Sequence, residues 1–149
     1  MSLPSFGDAR DEILGLFNAA WTANAGAVNG GTVPQVAWPG VNAEVPDPEA
    51  AHVRVFLRHV DGRQVTFGQV GQRRFNRKGL VTIQVFTPNA KRTGLSLAEN
   101  LATIARDAYE GIGTASGIWF RNVRIQEVGP DNGLYQMNVV AEFEYDELK

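Results

Sequence analysis

The chain has 149 residues, 44% of them apolar and 20% charged, with a formal net charge of -2. That composition excludes a disordered or collagen-like polymer and departs from the strongly basic balance of a dedicated nucleic-acid binder. The absence of cysteine also excludes thiol catalysis, thiolate metal sites and disulfides.

A chain of this length is expected to form one domain, residues 1–149, burying roughly 68–70% of the surface its unfolded form exposes. The start, Met-Ser-Leu-Pro-Ser-Phe-Gly-Asp, shows no basic region followed by an apolar one, and no apolar run approaches the ~18 residues of a membrane span. The expected location is therefore the cytoplasm, with no membrane partner.

The acids Asp8, Asp11 and Glu12 suit a helix N-terminus, and Phe6, Ile13, Leu14, Phe17, Ala20 and Trp21 recur at helical spacing. These residues predict an amphipathic helix over about 6–23. From 24 to 50 the glycines and prolines are too dense for a helix or a central strand, leaving a loop with one short extended piece, Gln35 to Trp38, along a sheet edge. So long a loop is itself a candidate contact surface.

Val53, Val55 and Leu57 alternate with polar residues, predicting a strand over 51–60. Asp61-Gly62 then reads as a two-residue hairpin turn into a second strand over 63–69, with Gly68 to Asn76 as a projecting tip. Val81, Ile83 and Val85 predict a third strand over 79–87. Ser96-Leu97-Ala98-Glu99 has the form of a capping box opening a helix over 97–110, which Gly111 or Gly113 can end. Strands over 118–128 and 134–145 follow, joined by a turn at Gly129-Pro130-Asp131-Asn132-Gly133. Runs of strands separated by single helices predict an α+β domain, with two helices packed on one face of a mainly antiparallel or mixed sheet.

Arg63, Arg73, Arg74, Arg77, Lys78, Lys91 and Arg92 make up half of the chain's 14 Lys and Arg, and the segment from 63 to 92 contains no Asp or Glu. A basic loop mounted on a sheet could contact nucleic acid, an acidic protein surface or another copy of the chain. Arginines would neutralise phosphates and Phe75 could stack on a base. Glu142 and Glu144 share a strand face and adjoin Asp146 and Glu147. Side by side in one environment, they read as a solvated acidic face or as the receiver of a basic patch, not as an acid/base pair.

His52 and His59 stand seven residues apart on one strand and so point to opposite faces, unable to share a metal. Gly111 to Gly117 follows a helix and precedes a strand, the reverse of a phosphate loop, and reads as a connection. No nucleophile, base and orienting group come together, so an enzyme of any class is the disfavoured reading. No metal or cofactor is expected.

The Val65-Thr-Phe-Gly68 to Arg73-Arg74 segment, Gly79, Ile83-Gln-Val-Phe-Thr-Pro88, Gly94 and the Ala-rich helix from Leu97 to Tyr109 resemble the tail terminator (tail completion or neck) proteins of long-tailed phages and prophages. The likeness spans nearly the whole chain. It implies a structural protein that forms a ring, commonly of six copies, on the tail tube. There it stops polymerisation and offers a docking surface to the head-tail connector or stopper. It also implies assembly in the host cytoplasm and a final place at the tail-neck junction of the virion. A ring requires two different patches that meet on neighbouring copies. Arg73, Arg74, Phe75, Arg77 and Lys78 opposite Glu142, Glu144, Asp146 and Glu147 are the expected pair, or else the contact to the tube. The alternative in a related class is a neck component whose basic loops contact passing DNA.

Overall fold

Ser5 starts the first helix. In the computed structural model, which describes residues 3–41, 50–88, 94–131 and 133–149, its hydroxyl accepts the Asp8 backbone N–H at 3.2 Å. That satisfies a donor the first turn leaves free, a cap worth about 1 kcal/mol. The helix, α1, runs from Phe6 to Val28 and buries Ala9, Ile13, Phe17, Trp21 and Ala25, one residue in every four. Ala25 extends the buried stripe by a turn, which is why the helix outruns its expected end at residue 23. It stops where the Gly31 N–H returns to the Gly26 carbonyl at 2.7 Å, with φ of 67° at Gly30 and 93° at Gly31.

The segment after α1 is tied back onto it. The Trp21 indole donates to the Pro34 carbonyl at 3.1 Å, and Phe17 meets Trp38 edge to face at 5.9 Å. Between these contacts lies β1, Gln35–Ala37, which pairs parallel with β2 at the sheet edge. Part of the expected loop, residues 42–49, lies outside the described residues, as do Lys91, Arg92 and Asn132.

The other strands are β2 (His52–Gln64), β3 (Arg74–Pro88), β4 (Trp119–Asp131) and β5 (Leu134–Leu148), with helix α2 (Gly94–Asp107) between β3 and β4. The sheet order is β1-β2-β3-β5-β4, antiparallel except for the β1–β2 pair. Both helices cover one face, as the α+β expectation requires. Val53, Val55 and Leu57 of β2, Val81, Ile83 and Val85 of β3, and alternate residues from Met137 to Tyr145 of β5 close over Leu101, Ala102 and Ala105 of α2. The buried Tyr109 hydroxyl donates to the Ile13 carbonyl at 2.9 Å and locks the end of α2 to α1. Among the described residues, no helix is long and apolar enough to cross a membrane.

Four local expectations need correction. Asp61-Gly62 is not a turn, because neither residue has the positive φ that such a turn requires. Instead β2 runs on to Gln64, with Asp61 opposite Lys78 and Gly62 opposite Arg77. There is therefore no separate strand over 63–69, and the tip is residues 65–73. A Cβ at Gly62 would meet the tip of the Arg77 guanidinium, the far end of a flexible side chain that can shift aside.

The third strand begins at Arg74 instead of residue 79, and β5 continues to Leu148 instead of 145, because the two extensions pair with each other. Ser96 lies inside α2, which is already helical at Gly94, so it is not the cap. The Thr87 hydroxyl anchors this end by donating to the Gly94 carbonyl at 2.8 Å. Gly111, with φ 74°, follows the helix as expected. In the last hairpin β4 extends to Asp131, and Gly129 sits at a β-bulge in the strand instead of in the turn.

The histidines do face opposite ways. His52 stacks on Phe86 with ring centroids 4.9 Å apart on the face away from the helices. His59 is on the helix side, stacked 4.1 Å from Phe6 of α1, with its Nε2 2.7 Å from the Tyr145 hydroxyl. Burial lowers the His59 pKa below the usual 6.5. Arg10 and Arg77 push the same way, and Glu147 opposes them. Burial, reinforced by Glu147, pushes the Tyr145 phenol up to about 12.

Two predictions follow from this packing. A Cβ on Gly79 would strike the Arg58 carbonyl of β2 and the Phe143 ring. Gly79→Ala is therefore expected to lose about 1–3 kcal/mol in denaturant titration. His59 holds its proton less tightly when folded than when unfolded, so stability is complete above pH 6.5 and falls as pH drops from there through the lowered folded value. In thermal melts across that window, His59→Phe should lose part of the acid sensitivity.

Candidate assembly interface

The sheet outruns its helices. Beyond His59, β2, β3 and the end of β5 continue as a three-stranded arm, with Asp61 to Gln64 paired to Phe75 to Lys78 and these paired to Glu144 to Glu147. At its end, residues 65–73 turn through Gly68 (φ 147°) and Gly71 (φ 91°). Three hydrogen bonds hold the tip. Val65 N–H reaches the Arg74 carbonyl at 2.9 Å, Gln72 N–H the Gln69 carbonyl at 3.0 Å, and Arg74 N–H the Thr66 hydroxyl at 2.8 Å. This ordered tip holds Phe67 98% exposed and Val70 83% exposed. They are the two most exposed large apolar side chains among the described residues.

The structure brings together the basic and acidic residues singled out from the sequence, and it does so within one chain. Arg74 pairs with Asp146 at 3.4 Å, and Arg77 with Glu147 at 3.1 Å. The Asn76 amide donates to both Glu144 at 3.0 Å and Asp146 at 3.1 Å. Phe75 stands opposite Glu147, with the Arg77 guanidinium 5.2 Å from its ring centroid. Lys78 is the cross-strand neighbour of Glu144 and Asp61. The two patches are thus adjacent strands of one sheet. The exposed Arg74–Asp146 pair is worth about 0–1 kcal/mol, and together with the part-buried Arg77–Glu147 pair it stiffens the arm. Among the described residues, Arg63, Arg73 and Lys78 form no ion pair. Arg73 Nε is buried without a hydrogen-bond partner.

Glu142 and Glu144 share the open face of the sheet, as expected, but not as bare carboxylates. Arg121 reaches Glu142 at 3.9 Å and Glu144 at 3.5 Å, and Arg124 reaches Glu142 at 3.3 Å. Both arginines come from β4, where a bulge with Asn122 at φ 52° brings the Asn122 amide onto Glu142 as well. Sequence reasoning missed these three residues, although two arginines three apart in a predicted strand were a readable sign. It also missed Phe67 and Val70, which lie in a stretch assigned partly to a strand. On β2 the open face presents Arg54 and Arg58 beside Phe56, with no acid paired to either among the described residues.

Among the described residues, no three His, Asp or Glu side chains cluster in a way that could hold a metal ion. The loop from Gly111 to Gly117 is a connection, as expected. It is closed by the Thr114 N–H on the Ile118 carbonyl at 2.8 Å.

No protein-family model matches the chain, and no curated protein matches it in sequence. Solved structures do match in fold. One, a chain from the virion of a native gene transfer agent particle, superposes with a TM-score of 0.54 at 16% identity, covering 88% of this chain and 92% of that one. Another, whose designation states no function, gives a TM-score of 0.54 at 14% identity over 89% of this chain and 94% of its own. At such identities the likeness establishes a shared α+β fold, and it extends over nearly the full length of each partner.

Proposed function

We propose that this chain is a structural protein of a phage-type virion, a tail terminator that caps the tail tube as a ring and stops its growth. Six copies form the ring, which docks the head-tail connector or stopper. Assembly takes place in the host cytoplasm, and the protein ends at the tail-neck junction. The observation that carries this reading is the arm, a charge-stapled hairpin that presents Phe67 and Val70 to water, as a contact surface for another molecule would. Two further observations support it. The fold is shared with a chain of a gene transfer agent virion over most of both lengths. The residues that carry the resemblance to tail terminators also have physical work here. Arg73 and Arg74 lead from the tip into β3, Gly79 allows β3 to pass under Phe143, and Gly94 starts α2 against Thr87.

In this reading Arg73, Arg74, Phe75, Arg77 and Lys78 on one strand, with Glu142, Glu144, Asp146 and Glu147 on the next, form the arm and its base, which contact a neighbouring subunit or the tube. Because Arg74 and Arg77 already have partners in the chain, the charges left for a second molecule are those of Arg63, Arg73 and Lys78.

A second reading has an observation of its own. Arg54, Arg58 and Arg63 project from β2 with no ion pair among the described residues, as a neck component contacting passing DNA would require.

Negative-stain electron microscopy of the cognate tail tube protein, polymerised with and without this chain, tests the proposal. Shorter tubes with a ring at one end are expected, and unchanged lengths with bare ends would defeat it. Arg73→Glu combined with Arg74→Glu should weaken assembly in sedimentation while changing folding stability by no more than about 1 kcal/mol. Unaltered assembly would remove the arm from the interface. Salt-dependent binding of duplex DNA by the isolated protein, together with unaffected tubes, would favour the second reading.

A further inference from the structure

Phe67 and Val70 are exposed at the tip, and the chain carries a groove of complementary charge. A groove of about 410 Å³ lies between α2 and β4, lined by Glu99, Thr103, Ile125, Glu127 and Met137. Its size is within the range of about 300–1,000 Å³ that takes compact ligand groups. Its apolar lining is the half-buried Ile125, lying over the buried Met137. Its rim is acidic, and neither Glu99 nor Glu127 forms an ion pair among the described residues. The hairpin tip is the complement in each respect. It is apolar at Phe67 and Val70, is flanked by Arg63 and Arg73 without ion pairs, and contains no acid.

The tip cannot reach the groove of its own chain. Met137 pairs with Val85 near one end of the sheet, and Leu148 pairs with Arg74 at the root of the tip. At about 3.4 Å per residue along β5, the two ends stand roughly 37 Å apart. The contact therefore joins two molecules. Tip and groove are different surfaces, so it is head-to-tail, the kind that closes into a ring or runs on as a filament.

We propose that the hairpin tip of one copy seats Phe67 in the α2–β4 groove of the next, with Arg63 and Arg73 facing Glu99 and Glu127. This rests on the reading of the chain as an assembly protein and names the surfaces through which its copies meet. The earlier expectation set the basic strand against the acidic end of β5. Here those residues are braces of the arm, and the groove is the receiver.

The absence of native cysteine makes the test clean. Two single variants, Val70→Cys and Thr103→Cys, are mixed under mild oxidation and separated without reductant. A mixed disulfide dimer is expected, with little self-linked product from either variant alone, and the double variant should give a ladder of covalent multimers. Adding Glu99→Lys and Glu127→Lys to the Thr103→Cys copy should cut the mixed product on the order of tenfold. Adding Arg63→Glu and Arg73→Glu to the other copy should restore it. Val70→Cys dimers in place of mixed ones would show tip-to-tip contact and overturn the proposal. So would a wild-type chain that sediments as a multimer without any mixed product, or one that stays monomeric and also gives none. Each of these outcomes leaves the tube-capping assay free to succeed, whereas mixed disulfides with unaffected tubes would keep the contact and reject the capping role.

Discussion

The structure depends on a mismatch of length between its two layers. α1 and α2 can roof only part of one face of a sheet whose central strands, β3 and β5, pair over fifteen residues each. Under the roof, the inward positions must be apolar, and Val81, Ile83, Val85, Val139, Ala141 and Phe143 are all buried. Past the roof Tyr145 alone continues the buried row, so the strands depend more on hydrogen bonds and cross-strand charge. Hence the change in β3 from Leu80-Val-Thr-Ile to Arg74-Phe-Asn-Arg-Lys, and the matching change in β5 to Glu144-Tyr-Asp-Glu. His59 and Phe6 mark the boundary, where α1 begins and the arm leaves the core.

That boundary also limits what can be read from the sequence. Where a face is buried, the periods survive. The two helices, the alternation of β2 and β5, the edge piece at Gln35 and the α+β arrangement are all legible because burial writes them. In the arm Tyr145 is the one buried residue, so the period fades. Arg74 to Lys78 then resembles a loop, and Asp146 and Glu147 resemble a solvated tail. Asp61-Gly62 misleads for a related reason. The pair has the composition of a hairpin turn, but both residues pair with β3 as part of a continuing strand. The pairing of basic with acidic residues is legible, but as a contact between copies; that it lies within one chain is not, since it depends on a strand register set far away in the core.

Charge has two different tasks on this surface. Arg74, Arg77, Arg121 and Arg124 are engaged within the chain and fix the side chains around them before any partner arrives. Ordering that is already paid for in the free subunit need not be paid again on association. Among the described residues, Arg54, Arg58 and Arg63 of β2, Arg73 at the tip and Lys78 of β3 form no ion pair. Complementary charges of this kind contribute to register and to the rejection of wrong partners more than to affinity. The tightness of any assembly must come from apolar groups, and in the arm these are concentrated in Phe67 and Val70.

The register of β3 against β5 also bears on how the chain reaches its native state. β2–β3 and β4–β5 are each hairpins, formed between neighbours in sequence. The central pairing joins them across α2, bringing Arg74 beside Asp146, 72 residues away. Closing so large a loop costs entropy before any contact is made, and pairings of this kind slow folding. The two hairpins can form early, but the sheet exists only once they meet, and a register slip of one residue would turn Val81, Ile83 and Val85 outward. The arm divides accordingly, for its β2–β3 half belongs to a local hairpin while its β3–β5 half is aligned only through the register of the core.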